Sequence, residues 1–235
     1  MYFIIKNWVA NIVYLFMKFA LWKAQDKDCF RILLYHNIDG RYHNDRFGIS
    51  VSLENFKNQM EFLYLNGYNV FPLEELIYKI KNRQSIPPKS LAITFDDGYS
   101  ENLTNVLNIL NQYGFIATFF VTVNYIEKFP LYSKKEYWEY LNFLTWEELK
   151  DLLLSGNSIG SHFHSHKNLL TLSSDEIKEE IIESKRIIEK RLGISVVLFS
   201  YPYGKFNESI KQNLTKNGCL AACTSIPGKN FFNID

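Results

Sequence analysis

The chain has 235 residues, 47% of them hydrophobic, and 26 Lys and Arg set against 25 Asp and Glu leave a formal net charge of +1. That apolar share excludes a disordered chain, and the balanced charge offers neither a basic footprint for nucleic acid nor an acidic tail. The length supports one sizeable core. The three cysteines, Cys29, Cys219 and Cys223, are odd in number and show no disulfide framework; Cys29 and Cys223 read as small core residues.

In chain order, Met1 to Trp22 is mostly apolar, and its interruptions Lys6, Asn7, Asn11 and Lys18 fall on one side at helical spacing. Residues 1–25 therefore read as an apolar, amphipathic N-terminal helix. It falls short of the roughly 20 uninterrupted apolar residues of a membrane span. No small-residue cleavage site marks a secretory signal. An interfacial helix touching a membrane surface through residues 1–22 and a helix packed on the protein's own body both fit. Localisation accordingly reads as membrane-associated or cytoplasmic.

Residues 26–235 read as one domain, without repeats or low-complexity tracts. Phe30 to Tyr35 is apolar enough for a first strand and ends at His36. Ser52 to Leu65 has helical spacing and stops before Gly67, and Pro72 to Arg83 is a second helix with Glu74 and Glu75 in its first turn. Gln84 to Lys89, with Pro87-Pro88, links to the short apolar run Leu91-Ala92-Ile93. Asn102 to Tyr113 is a helix stopped by Gly114, and Phe115 to Val121 is rich in strand formers. Asn124 to Asn142 is an aromatic, charged insertion. Thr145-Trp146-Glu147-Glu148 is a capping box, and Ser173-Ser174-Asp175-Glu176 opens a helix running to Gly193. Val196-Val197-Leu198 is another apolar run, Asn207 caps a helix to Asn217, and Leu220 to Cys223 is a last strand. Strands alternating with helices of this length predict parallel βα units.

Three elements carry chemistry. In Thr94-Phe95-Asp96-Asp97-Gly98 two adjacent carboxylates close the run that starts at Leu91. Burying unpaired carboxylates is costly, and a metal ion or a shared proton relieves that cost. Adjacent side chains of an extended strand point opposite ways, so one carboxylate is expected to bind metal while the other acts as a base; a solvated Asp-Asp-Gly turn is the plainer alternative. In Ser161-His162-Phe163-His164-Ser165-His166 lie three of the five histidines. One helical turn puts His162 and His166 on a common face, and an extended segment points all three histidines one way. A carboxylate with two histidines suits zinc with an open position, or non-haem iron. Finally, Tyr201-Pro202-Tyr203-Gly204 is a rigid aromatic turn able to floor a sugar site and present a backbone N–H. His43 lies in a polar loop and reads as solvated.

Together and in this order, these elements resemble the polysaccharide deacetylase family, the NodB-like domains of carbohydrate esterase family four. That family shows Thr-Phe-Asp-Asp-Gly, then His-(Ser/Thr)-x-x-His, then Pro-(Tyr/Phe)-Gly, matched here by Thr94 to Gly98, His162 to His166 and Pro202 to Gly204. The likeness also takes in Ile32-Leu33-Leu34-Tyr35-His36 and Ile159-Gly160-Ser161, and so spans about residues 30 to 225. It implies a distorted, incomplete (β/α) barrel. It implies Asp96 as general base, Asp97 with His162 and His166 as ligands of a divalent metal, and the N–H of Tyr203 at the oxyanion. Zinc is the leading metal, with cobalt, manganese and iron also compatible. Tyr201, Pro202 and His164 are expected around the substrate. The implied reaction removes N-acetyl groups from an N-acetylated glycan or a lipid-linked sugar.

Three positions depart from the pattern. Ser200 stands where the family often has an Arg that orients the catalytic Asp. Phe163 replaces the Ser/Thr after the first histidine, leaving Ser165 to serve. No histidine follows His166 to act as the late general acid, and His36, at the end of a strand, is the candidate replacement. The chain stops at Phe232-Asn233-Ile234-Asp235, soon after the last strand, which leaves closure of the barrel open. The departures keep two other functions in play: a non-catalytic glycan-binding or assembly module, and a small-molecule amidase.

Overall fold

The computed structural model describes residues 30–38, 48–127 and 142–226, with the side chains of residues 101 and 102 excepted. The apolar N-terminal helix, Cys29, His43 and most of the aromatic insertion lie outside the described residues.

The first strand, β1 (Arg31–Tyr35), is followed by two short strands, β2 (Asn37–Ile38) and β3 (Ser50–Val51), which pair with each other. Helix α1 (Leu53–Leu65) begins where Ser52 accepts from the N–H of Asn55, and β4 (Asn69–Val70) follows. Helix α2 (Leu73–Lys81) has Pro72 at its N-cap. Strand β5 (Ser90–Phe95) extends the apolar run in both directions and is buried at all six positions. Helix α3 (Glu101–Tyr113) ends in left-handed Gly114. Strand β6 (Thr118–Val121) is shorter than the expected Phe115 to Val121. The N–H of Phe115 closes the helix exit on Leu110 instead of joining the sheet.

Both expected capping boxes form, at Thr145–Glu148 for α4 (Trp146–Leu154) and at Ser173–Glu176 for α5 (Ser174–Leu192), with β7 (Ser158–Ser161) between them. The next strand, β8 (Leu198–Ser200), lies two residues downstream of the expected Val196-Val197-Leu198. Val196 is held off the sheet because its N–H donates to Glu189 and its carbonyl accepts from Lys185 Nζ. Helix α6 (Glu208–Lys216), capped by Asn207, leads to β9 (Ala221–Cys223).

All pairings in the seven-stranded sheet are parallel, in the order β1-β5-β6-β7-β8-β9. Strand β4 pairs with the start of β5 and β6 with its end, sharing the edge that β1 leaves. Strands β1 and β9 do not pair among the described residues, so the sheet curls into a half-barrel open between them. Among the described residues no helix is long and apolar enough to cross a membrane.

Side-chain alternation along these strands divides the core in two and places the site. Leu91, Ile93, Phe95, Phe119, Val121, Ile159 and Phe199 belong to the larger cluster, which takes in the buried faces of α1, α3, α4 and α5. Ala92, Phe120 and Leu198 face the other way, into a cluster with Leu73, Leu76 and Ile77 of α2. That second parity reaches Ser200 at the end of β8 and, one residue past β1, β5 and β7, His36, Asp96 and His162. The barrel interior is therefore apolar below and lined by polar and ionisable side chains at the C-terminal strand ends, where such barrels carry their sites.

Candidate active site

Asp96 follows β5 directly, and its N–H donates to the carbonyl of Tyr35 at 2.9 Å, which continues the ladder with β1. Asp97 then adopts a left-handed φ of 72°, and Gly98 one of 80°. This turn overrules the expectation that the two carboxylates point opposite ways. An alternating backbone would send Asp97 outwards; the left-handed step returns it to the side of Asp96. Both carboxylates consequently face one imidazole: His162 Nε2 lies 3.4 Å from Asp97 Oδ1 and 4.0 Å from Asp96 Oδ2.

His162 follows β7, tied by its N–H to the carbonyl of Val121. Its Nδ1 is 2.8 Å from the carbonyl oxygen of Ser200. A carbonyl only accepts, so Nδ1 carries the proton and Nε2 turns its lone pair to the carboxylates. The residues after it are neither a helical turn nor an extended run, because Phe163 (φ 64°) and His166 (φ 56°) are left-handed. These two reversals bring His166 Nε2 to 3.2 Å from Asp97 Oδ1.

Asp97, His162 and His166 thus hold their ligand atoms within 4.8 Å of one another. Ligands about 2.1 Å from a tetrahedral metal sit roughly 3.4 Å apart. The separations of 3.4 and 3.2 Å about Asp97 Oδ1 are of that size. Oδ1 is itself buried without a hydrogen-bond partner among the described residues. One oxygen and two nitrogens suit a divalent cation, so the three residues fit such an ion.

Burial raises the Asp96 carboxyl above the ordinary carboxylate range, with Asp97 adding to it, against the lowering pull of His162, His36 and the Ser200 hydroxyl. Burial pushes Asp97 the same way, but His162 and His166 together outweigh it and hold this carboxyl well below that range. For His162 burial is outweighed by Asp96 and Asp97, which raise it. The neighbours split two chemically identical groups into a less acidic and a more acidic one.

The other expected residues lie at different distances from this centre. His36 shares the inward parity, and its charge acts on Asp96. Tyr203 is left-handed (φ 60°), largely exposed, and set edge-on to His166 at 4.8 Å between ring centroids. Pro202 is buried beneath it. Tyr201 is buried too, stacked between Phe206 and Phe163. His164 stands outside the group of three: its carbonyl accepts from Asn124, and its charge acts on Glu183 of α5.

Two contacts are not foreseen by the sequence. Ser200 Oγ donates to Asp96 Oδ2 at 2.8 Å, so the position lacking the family's cation still supplies a hydrogen-bond donor to Asp96. Glu180, in α5, accepts from the N–H groups of His164 and Ser165. Its signal was available: Glu180 and Ser184 are polar residues inside the buried stripe of Ile177, Ile181 and Ile188.

The profile of the polysaccharide deacetylase family matches residues 83–222. The YxkH protein of Bacillus subtilis is 28% identical over 197 residues, covering 84% of this chain and 64% of that protein. The peptidoglycan-N-acetylmuramic acid deacetylase PdaC of the same organism is 32% identical over 152 residues, 63% of this chain and 29% of that protein. The chain thus spans less than two thirds of either relative's length. Among solved structures, deacetylase PplD of Streptococcus pyogenes superposes with a TM-score of 0.75 at 24% identity, covering 86% of this chain and 85% of that one, which shows a shared fold. With a family match over more than half its length, across all three motifs, the chain belongs to the polysaccharide deacetylase family.

Proposed function

We propose that this chain is a divalent-metal hydrolase that removes the N-acetyl group from an amino sugar of a glycan. The observation that carries the reading is the convergence of Asp97, His162 and His166 beside a second buried carboxylate, Asp96, at the mouth of the half-barrel. A pair of ionisable groups driven apart in acidity beside a three-ligand cluster is the division of labour hydrolysis of an amide needs. The family membership and the name of the PdaC relative supply the substrate class, an N-acetylated amino sugar.

Asp97, His162 and His166 would hold the cation, with zinc the first choice for one oxygen and two nitrogens. When bound, such an ion supplies Lewis acidity to the scissile carbonyl and acidifies water. Asp96 takes the proton of the attacking water. Ser200 occupies Oδ2 of Asp96, and Oδ1, buried without a hydrogen-bond partner among the described residues, is the oxygen left to accept it. The backbone N–H of Tyr203 donates to the oxygen that gains negative charge. His36, whose charge acts on Asp96, delivers a proton to the leaving amine. The amide C–N bond breaks, and acetate and a free amino sugar leave.

The test is acetate release from an N-acetylglucosamine oligomer by protein stripped with chelator and reloaded with zinc or cobalt. Release that depends on the metal and disappears in Asp97→Ala is the expected result. Folded, metal-loaded protein that releases no acetate from N-acetylated glycans would overturn the reading.

A further inference from the structure

The loop between the two histidines has an unusual hydrogen-bond economy. Backbone groups near a barrel mouth need partners, and this stretch has left the sheet. Two of its carbonyls are satisfied by neighbouring backbone: Phe163 accepts from the N–H of Val123 at 3.3 Å and His164 from that of Asn124 at 2.9 Å. Its N–H groups turn to side chains. Phe163 donates to Ser161 Oγ at 3.0 Å, while His164 and Ser165 both donate to Glu180 Oε2, at 3.0 and 2.8 Å. The Ser165 hydroxyl donates to the other oxygen, Oε1.

Glu180 therefore spends both oxygens on one loop, and it is buried at 6% exposure. A buried carboxylate is stable only where donors surround it, and none of these donors is a cation. The same face of α5 supplies Ser184, whose hydroxyl bonds Ser161 Oγ at 2.9 Å. Two polar groups one helical turn apart thus grip the strand end and the loop together. They hold a segment in which Phe163 and His166 are left-handed without being glycine, a conformation that reverts unless its surroundings fix it.

Resting on the metal reading above, we infer that Glu180 is a positioning residue for that site: it fixes the 163–166 loop so that His166 presents Nε2 to Asp97, and affinity for the divalent cation depends on it. Glu180 touches neither the ion nor the reacting atoms. Partners that orient metal ligands in this way typically contribute about 10–100-fold in affinity.

The experiment compares zinc affinity, by chelator competition, with the unfolding midpoint of the metal-free protein, for wild type, Glu180→Gln, Glu180→Ala and Ser165→Ala. Glu180→Gln keeps the shape but replaces a carboxylate by a weaker neutral acceptor, and it should bind zinc about 10-fold more weakly. Glu180→Ala should lose more, towards about 100-fold. Ser165→Ala keeps both backbone bonds to Oε2 and should lose least. Folded Glu180→Gln with wild-type zinc affinity overturns the inference. A second measurement holds whether or not Glu180→Ala folds: in metal-free wild type, the amides of His164 and Ser165 should resist hydrogen exchange as sheet amides do. Exchange at unprotected rates overturns the inference equally. Wild-type protein that binds no zinc defeats the metal reading itself, and with it the inference; zinc binding that is indifferent to residue 180 defeats the inference alone.

Discussion

The two halves of the site are held by different means. The carboxylate corner hangs on β5, which is paired with β1 over five residues and with β4 and β6 on its other edge. Asp96 merely continues that ladder. The histidine loop hangs on β7, which pairs with β6 over four residues but meets β8 through a single register pair, Ser161 with Phe199. His162 continues the ladder with β6; past it, side chains from α5 and backbone from residues 123–124 do the holding. The aspartates and His162 therefore owe their place to the backbone of the sheet. His166 owes its place to a loop held by groups that a single substitution can remove. Damage at the corner should be chemical, through the substituted group itself, whereas damage at the loop should be geometric and reach it from a neighbouring helix.

The largest expected effect tests the corner directly. Asp97→Ala removes the one anionic member of the group, while the sheet leaves the backbone in place. Zinc affinity should fall by more than about 100-fold, beyond what loss of an outer partner costs, with acetate release lost alongside. Asp96→Asn should separate the two carboxylates. Metal affinity should stay within a few-fold of wild type while turnover drops by about 10²–10⁴-fold, the usual contribution of a general base. Isothermal titration and a steady-state assay on the same preparation check both variants. Asp96→Asn turning over like wild type would take the base role away from Asp96.

Ser200→Ala is the next step down, and it probes the hydrogen bond from the Ser200 hydroxyl to Asp96. Deleting a donor to a buried carboxylate costs about 1.5–3 kcal/mol. Turnover should fall roughly 10–100-fold if that oxygen is displaced. Zinc affinity should hold, because the bond from His162 goes to the carbonyl of Ser200, not to its hydroxyl. A Ser200→Ala variant with unchanged turnover would mean that the sheet alone orients Asp96.

This contrast also explains what was legible in the sequence. The helices were, since their signals are local: Ser52, Thr145, Ser173 and Asn207 each cap the helix that follows them. Strand β5 was, because a run buried on both faces is apolar throughout. The three motifs name residues that the fold brings together, Asp97 with His162 and His166 among them. Their geometry was less legible. Nothing in Asp-Asp-Gly announces that Asp97, and not only Gly98, is left-handed, so strand alternation gave the wrong direction for its side chain. Period arguments know only helix and strand, whereas the shape of the histidine segment depends on partners elsewhere. Ser200 looked like a lost cation; its contact with Asp96 joins residues 104 apart in the chain and exists only once β5 and β8 stand in one barrel. Glu180 looks, in sequence, like one more charge in a helix rich in them.

The smallest effect sharpens the comparison by showing what the loop does not depend on. Ser173 caps α5, the helix that carries Glu180, and its hydroxyl both accepts from the N–H of Glu176 and contacts that carboxylate at 2.8 Å. Losing a serine cap costs about 1 kcal/mol. Ser173→Ala should lower the unfolding midpoint by a few degrees, as that cost implies for a domain of this size. The loss should narrow in acid. The N–H and hydroxyl of Ser173 hold the Glu176 carboxyl below its ordinary range, so this stabilisation is present above the unfolded-state value of about 4.3 and fades as pH falls through the folded one. Zinc affinity should not change, because Glu180 lies about two turns into the helix, where packing of Ile177 and Ile181 fixes the backbone whatever the first turn does. A Ser173→Ala variant that weakened zinc binding as much as Glu180→Gln would show that the loop responds to α5 as a whole and not to the carboxylate at position 180.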